Sequence, residues 1–169
     1  MPIQAEGLPR KPADPFDMGG GHIDPGLVYD VDPAEYTRFF RCTLDPKDDC
    51  SSYMGRLYQL NLPSIAVPDL VGSVTVSRTV TNVGPAEVTY RVAVEAPAGV
   101  DVFVEPTVMT FAVDGSRNAT FKATFTARQM VQGVYTFGSL AWSDDGGAHS
   151  VRIPIAVRSV IQDFVADVS

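Results

Sequence analysis

Hydrophobic and polar residues alternate through most of the chain beyond residue 60, which is the pattern of half-buried β-strands. The clearest run places Val74, Val76 and Val80 on one face, with serine and threonine between them. The same two-residue period returns at 90–94, 100–104 and 120–125, and two further strands are predicted at 135–143 and 151–157, on either side of a turn. Short strands separated by turns predict an antiparallel β-sandwich.

The apolar face of these strands is expected to form a single hydrophobic core, because alternation places every second side chain on the inner face of a sheet. Trp142 is the only tryptophan and is assigned to that core rather than to a ligand site. The predicted core consists of Val76, Val80, Tyr90, Val92, Phe121, Phe125, Trp142 and Ile153.

A helix is predicted before the strands. Asp32 suits the N-cap, Pro33 the first helical position, and Glu35 the third position after the cap. The helix is expected to end near Leu44, with an aromatic face made of Tyr36, Phe39 and Phe40. The fold class is therefore mainly β: an antiparallel sandwich preceded by a short helix-containing N-terminal segment.

Composition limits the classes of function. The chain has 169 residues, of which 45% are hydrophobic, and a formal net charge of −7. Such an acidic balance argues against nucleic acid or an anionic membrane as a partner, since both require clustered lysine and arginine. No run of about 18 apolar residues is present, so no membrane-spanning helix is predicted.

Reactive residues do not form a recognisable catalytic or metal-binding pattern. His22 and His149 are the only histidines, and neither is expected to act as a general base. The two cysteines and two histidines fit no zinc-finger spacing. Asp144 and Asp145, followed by two glycines, are interpreted as a hairpin turn centred on Asp145 and Gly146 rather than as a calcium loop. We therefore predict no catalytic residue, no metal site and no cofactor.

Three short motifs carry a family resemblance: RTVTNVG at Arg78–Gly84, PAGV at Pro97–Val100 and NLPSI at Asn61–Ile65. Together with the strand pattern, they resemble the C-terminal fibronectin-type-III-like domain of plant subtilases, the subtilisin-like serine proteases. The preceding FDMGGGHIDPGLVYD resembles the closing segment of the subtilase catalytic domain. The predicted organisation is a linker at 1–13, a catalytic-domain remnant at 14–58 and a fibronectin-type-III-like sandwich at 59–169.

The resemblance implies a non-catalytic accessory domain that supports a serine-type endopeptidase. The three catalytic motifs of the family, D-T/S-G, H-G-T-H and G-T-S-M-A, are missing from this sequence, so the chain is not expected to be an enzyme. The alternative is an independent β-sandwich module that binds a protein or a glycan. The expected partner is a subtilase catalytic domain or a second copy of the chain. Either of these, or the adjacent sandwich, is expected to cover the aromatic helix face.

The family also implies an extracellular, apoplastic parent protein, although the N-terminus of this sequence has no apolar signal-peptide core. Cys42 and Cys50 match a pair that plant subtilases often place here, which implies a disulfide in the secretory pathway. In a reducing cytosol the two would be free thiols. Asn118, Ala119 and Thr120 form a possible N-glycosylation sequon, which is meaningful in a secreted protein.

Overall fold

Two facing β-sheets dominate the computed structural model, which describes residues 4–5, 11–19, 26–30, 32–44, 56–128 and 134–160. The strands are β1 (Leu27–Tyr29), β2 (Ile65–Leu70), β3 (Ser73–Asn82), β4 (Val88–Glu95), β5 (Val100–Glu105), β6 (Val108–Phe111), β7 (Asn118–Ala127), β8 (Thr136–Asp144) and β9 (Ser150–Ser159). The helices are α1 (Pro15–Met18) and α2 (Pro33–Leu44), with a 3-10 helix at Leu57–Gln59. The mainly β fold class is confirmed.

The four-stranded sheet has the order β1-β3-β7-β5 and is called the β3 sheet here. The five-stranded sheet has the order β2-β9-β8-β4-β6 and is called the β9 sheet. Strand pairs are antiparallel except β2 with β9, which run parallel. That parallel pair was not predicted, because local alternation carries no information about strand direction.

The core lies between the two sheets, where aromatic side chains fill its centre. The rings of Phe121 and Trp142 lie 5.2 Å apart. Seven of the eight predicted core residues are fully buried, as predicted, while Val92 is only partly buried and packs against the core. The core prediction is confirmed in its register, since the predicted inner face is the buried one.

Strand β1 comes from the segment predicted to be a catalytic-domain remnant. Leu27 pairs with Asn82 of β3 and is buried in the sandwich core. The chain before residue 59 therefore completes the β3 sheet rather than lying beside it. The domain boundaries at 13/14 and 58/59 stay predictions.

Both helices begin at an aspartate cap. Asp32 accepts a hydrogen bond from the Ala34 amide (2.9 Å), as the helix prediction required. The short helix α1 was not predicted; Asp14 caps it by accepting from the Phe16 amide (2.9 Å), and Asp17 accepts from the Asp14 amide (3.0 Å). The reciprocal bonds form a capping box that fixes the first turn of α1.

The turn between β8 and β9 uses both aspartates of the predicted hairpin. The Asp144 carboxylate accepts from the amides of Ala148 (2.8 Å) and His149 (3.2 Å), and Asp145 pairs with Arg91 (2.9 Å). The sequence had suggested Asp145 and Gly146 as the turn centre. The left-handed residue is instead Gly147, with φ of 68°.

Candidate functional site

Arg78 is a charged residue on the core face of β3, with only 1% of its surface exposed. Its guanidinium donates to the backbone carbonyls of the approach segment, our name for residues 57–64. The acceptors are the carbonyl oxygens of Leu62 (3.0 Å), Tyr58 (2.9 Å) and Ser64 (3.0 Å). Arg78 therefore fixes the path by which the chain enters the sandwich.

Burial lowers the pKa of Arg78 to about 10, so the guanidinium is still charged at neutral pH. Among the described residues, no carboxylate lies within ion-pair distance of it. Burial also raises the pKa of the neighbouring Tyr29 hydroxyl, an effect that the charge on Arg78 opposes. The buried charge is thus stabilised by oriented backbone dipoles, a role suited to the planar, multi-donor guanidinium.

Asn61, which is partly buried, makes a second set of connections. Its side-chain amide donates to the carbonyl oxygens of Asp30 (2.6 Å) and Thr79 (2.7 Å), while its side-chain oxygen accepts from the Thr79 amide (2.9 Å). The hydroxyl of Tyr36 in α2 donates to the Asn61 carbonyl oxygen (3.0 Å). One asparagine therefore joins the ends of β1, β3 and α2.

Asn82, also buried, organises the turn after β3. Its side chain donates to the Pro85 carbonyl (2.7 Å) and accepts from the Gly84 amide (3.0 Å). Gly84 does not take a positive φ in this turn. The side chain of Asn82 holds the turn instead, an arrangement typical of asparagine.

Gly26 brings the N-terminal segment close to this turn. Its carbonyl accepts from the Val83 amide (3.1 Å). A Cβ atom at position 26 would lie 2.7 Å from the Tyr90 hydroxyl and 2.8 Å from Cβ of His149, so a larger residue would force the strands apart. We call the set of Gly26, Asp30, Asn61, Arg78 and Asn82 the polar junction.

The resemblance motifs coincide with the polar junction. RTVTNVG supplies Arg78 and Asn82, and NLPSI supplies Asn61. The burial of Arg78 was not predicted, although the alternation along β3 indicates it. Arg78 stands in phase with Val74, Val76 and Val80, on the face that the alternation assigns to the core.

The outer face of the β9 sheet is apolar where α1 lies on it. Ala66, Ala156 and Phe137 form one row across β2, β9 and β8. Phe16 of α1 stacks edge-on against Tyr135 (5.2 Å) and Phe137 (5.6 Å), yet 61% of its surface is exposed. Beside it is a groove of about 310 Å³, lined by Pro15, Phe16, Gly19, 63–66 and 154–156. We call Phe16, Ala66, Phe137 and this groove the apolar outer face.

The outer face of the β3 sheet is polar. Hydroxyl pairs link β3 to β7 at Ser73 with Thr126 (3.1 Å), Thr75 with Thr124 (2.8 Å) and Thr79 with Thr120 (2.9 Å). These hydroxyl groups form hydrogen bonds with one another and can also face solvent. The two outer faces of the sandwich therefore differ in chemistry, one being apolar and the other lined with hydroxyl groups.

Helix α2 presents the predicted aromatic face near the polar junction. Tyr36 and Phe39 are half-buried, whereas Phe40 is 55% exposed and packs edge-on against Phe39 (5.9 Å). The Tyr36 hydroxyl connects the helix to the approach segment by donating to the Asn61 carbonyl oxygen. A partner that covers the exposed part of this face stays a prediction.

We expect the backbone amides of α2 to exchange with deuterium faster than those of β4. Few buried apolar side chains hold α2, whereas β4 lies between β8 and β6 with Tyr90 fully buried. Hydrogen exchange followed by mass spectrometry measures both segments in one sample. Equal protection of 33–42 and 88–95 would contradict the expectation.

The remaining predicted site residues are not brought together. His149 lies in the turn after β8, and Asn118 is exposed at the start of β7. His22 and Cys50 lie outside the described residues, so the bridge from Cys42 to Cys50 stays a prediction. In the part of the chain that the structure describes, no three metal-ligating side chains cluster, and no helix has the length and apolarity to cross a bilayer.

Comparison with known proteins finds a family model for the same strands. Residues 59–157 match the model described as "Fibronectin type-III domain". Subtilisin-like protease SBT3.12 of Arabidopsis thaliana is 41% identical over 174 aligned residues, covering 93% of this chain and 22% of the relative. Subtilisin-like protease SBT3.16 of the same plant is 38% identical over 179, covering 96% and 23%.

The chain thus spans less than a quarter of the length of the curated relatives it matches. A FixG-related protein from Vibrio parahaemolyticus has a similar solved structure, with a TM-score of 0.46 and 10% identity, covering 82% of this chain and 100% of that one. The likeness is too distant to carry an argument. The resemblance to plant subtilisin-like proteases is confirmed.

Proposed function

The chain belongs to the fibronectin type-III domain family, and from that premise we propose that it is a non-catalytic accessory domain of a subtilisin-like serine protease. In this role the chain performs no peptide hydrolysis itself. Its partner is the protease catalytic domain, and it acts outside the cell, in the apoplast. The near-complete match to plant subtilisin-like proteases supports this role.

The polar junction is the observation that carries the proposal. The segment before residue 59, which resembles the end of a catalytic domain, is joined to the sandwich by β1 and by the partly buried bonds of Asn61. Such bonds are costly to break, because they would leave partly buried carbonyls without donors. The sandwich is therefore a rigid extension of the segment that leads into it, as a supporting domain requires.

The apolar outer face supplies a docking surface for the catalytic domain. The approach segment contacts both the polar junction and this face. Arg78 donates to the Ser64 carbonyl, and Pro63 and Ser64 line the groove. Phe16 lines the same groove, with 61% of its surface exposed. Aromatic residues that lose their solvent contact on binding dominate the binding energy of many interfaces. The outer face of the β3 sheet is instead lined with hydroxyl pairs, although it also exposes Phe103.

A chimeric protease tests the proposal. This chain replaces the matching region of SBT3.12 from Arabidopsis, and secreted peptidase activity is measured with a fluorogenic peptide. We expect the chimera to be active and Phe16→Asp to lower its activity by at least about tenfold, because a charge would be buried in the interface. The isolated chain should hydrolyse no peptide and bind no fluorophosphonate probe.

Phe103→Asp is the matched control. Phe103 is 63% exposed, similar to Phe16, but lies on the outer face of the β3 sheet. We expect this variant to keep the activity of the chimera, and both variants of the isolated chain to unfold within about 1 kcal/mol of the parent. Equal activity of the two variants would contradict the docking surface. A fluorophosphonate-labelled serine in the isolated chain would contradict the non-catalytic role.

A further inference from the structure

We propose that Asn118 is an N-glycosylation site, and that its glycan stands on the outer face of the β3 sheet. The chain contains three asparagines, at positions 61, 82 and 118, and only Asn118 is followed by threonine two positions later. Asn61 and Asn82 are committed to the polar junction. Asn118 is exposed.

The position of the sequon leaves space for a glycan. Asn118 and Thr120 are both exposed at the start of β7 and point to the same face, while Ala119 between them packs towards the core. On the neighbouring strand they face Thr81 and Thr79. No described element covers this end of the β3 sheet enough to bury either side chain. A bulky, hydrophilic group can therefore extend into solvent.

The hydrogen bonds of Asn118 remain compatible with the modification. Its side-chain oxygen accepts from the Thr81 hydroxyl (3.2 Å), and its amide nitrogen donates to the Asp30 carboxylate (3.3 Å). In the transfer, Nδ2 bonds to C1 of the first N-acetylglucosamine of a lipid-linked oligosaccharide. The polyprenyl pyrophosphate leaves with the bonding electron pair, and one amide proton is lost to a base of the transferase.

The second amide proton stays on Nδ2 after the transfer. The bond to Asp30 can therefore persist in the glycosylated protein, and the carboxylate can orient the glycan linkage. Because Asp30 directly follows β1, the glycan would stand beside the end of that strand. This end of the sheet is remote from the apolar outer face, which lies on the other sheet of the sandwich.

The test is secretion of the full chain from cultured insect or human cells, with an added signal peptide. Peptide:N-glycosidase F then removes N-linked glycans and leaves aspartate where a glycosylated asparagine stood. We expect a mass above that of the polypeptide, a return to the polypeptide mass after treatment, and aspartate at position 118 in the peptide map. A secreted chain with the polypeptide mass and asparagine at 118 would overturn the proposal.

Two variants at position 120 separate the sequon from other effects. Thr120→Ala keeps Asn118 but destroys the sequon, and should lose the glycan. Thr120→Ser keeps the hydroxyl and the sequon, and should retain it. Retention of the glycan in Thr120→Ala, or in Asn118→Gln, would also overturn the proposal. Since the signal peptide is supplied, the outcome is independent of the accessory role, which the chimeric protease tests separately.

Discussion

Replacing Phe125 with alanine is expected to lower the free energy of unfolding by about 3–5 kcal/mol, as for large-to-small changes in packed cores. Phe125 has no exposed surface and lies in β7, an inner strand that pairs with both β3 and β5. Its cross-strand neighbours on the core face are Val74 and Val102. The loss comes from apolar surface returned to water and from the cavity left between the sheets.

Phe103→Ala is the matched control for Phe125→Ala. Phe103 belongs to the same sheet, opposite Thr124, but points outward with 63% of its surface exposed. We expect its truncation to cost less than about 1 kcal/mol. Urea denaturation followed by Trp142 fluorescence measures both. A loss under about 1 kcal/mol for Phe125→Ala would mean that the inner and outer faces of β7 are exchanged.

Replacing Arg78 with methionine is expected to destabilise the chain by at least about 3 kcal/mol. Methionine keeps a long side chain but has no donor, so the carbonyls of Tyr58, Leu62 and Ser64 lose their hydrogen bonds. Each buried acceptor left unsatisfied costs about 1–3 kcal/mol. Arg78→Lys should recover only part of the loss, because one ammonium group cannot reach three carbonyls in the geometry of the guanidinium.

Arg91→Met is the control for a solvent-exposed arginine. Arg91 pairs with Asp145, and both side chains are more than half exposed. Such a pair contributes at most about 1 kcal/mol. Arg78→Met should also increase hydrogen exchange in residues 57–64, whereas Arg91→Met should not. A loss for Arg78→Met no larger than that for Arg91→Met would refute the role assigned to the polar junction.

Sequence reasoning succeeded where a structural property is local. The period of two along β3 and β7 correctly separated buried from exposed side chains, because adjacent residues of any strand point to opposite faces. Asp32 correctly marked the start of α2, since an N-cap bonds to amides only two or three residues away. The motifs around Arg78 and Asn61 correctly indicated the family.

Reasoning from the sequence failed where the partner of a residue is distant along the chain. The pairing of Leu27–Tyr29 with β3, more than 50 residues later, was not predicted because it leaves no local trace in the sequence. The groove beside Phe16 needs α1, β2 and β9 at once. The hydrogen bonds from Arg78 to the approach segment were not predicted, because these acceptors lie 14 to 20 residues earlier.

The sequence by itself determined the mainly β class, the faces of the strands, the position of α2 and the membership of the family. Alternation and capping are properties of a few consecutive residues, so they can be read without knowing the fold. Only the tertiary structure decided that Arg78 is buried, that β2 runs parallel to β9, and that the two outer faces differ. These features arise when distant segments meet, because burial and hydrogen-bond partners are properties of the assembled sheets.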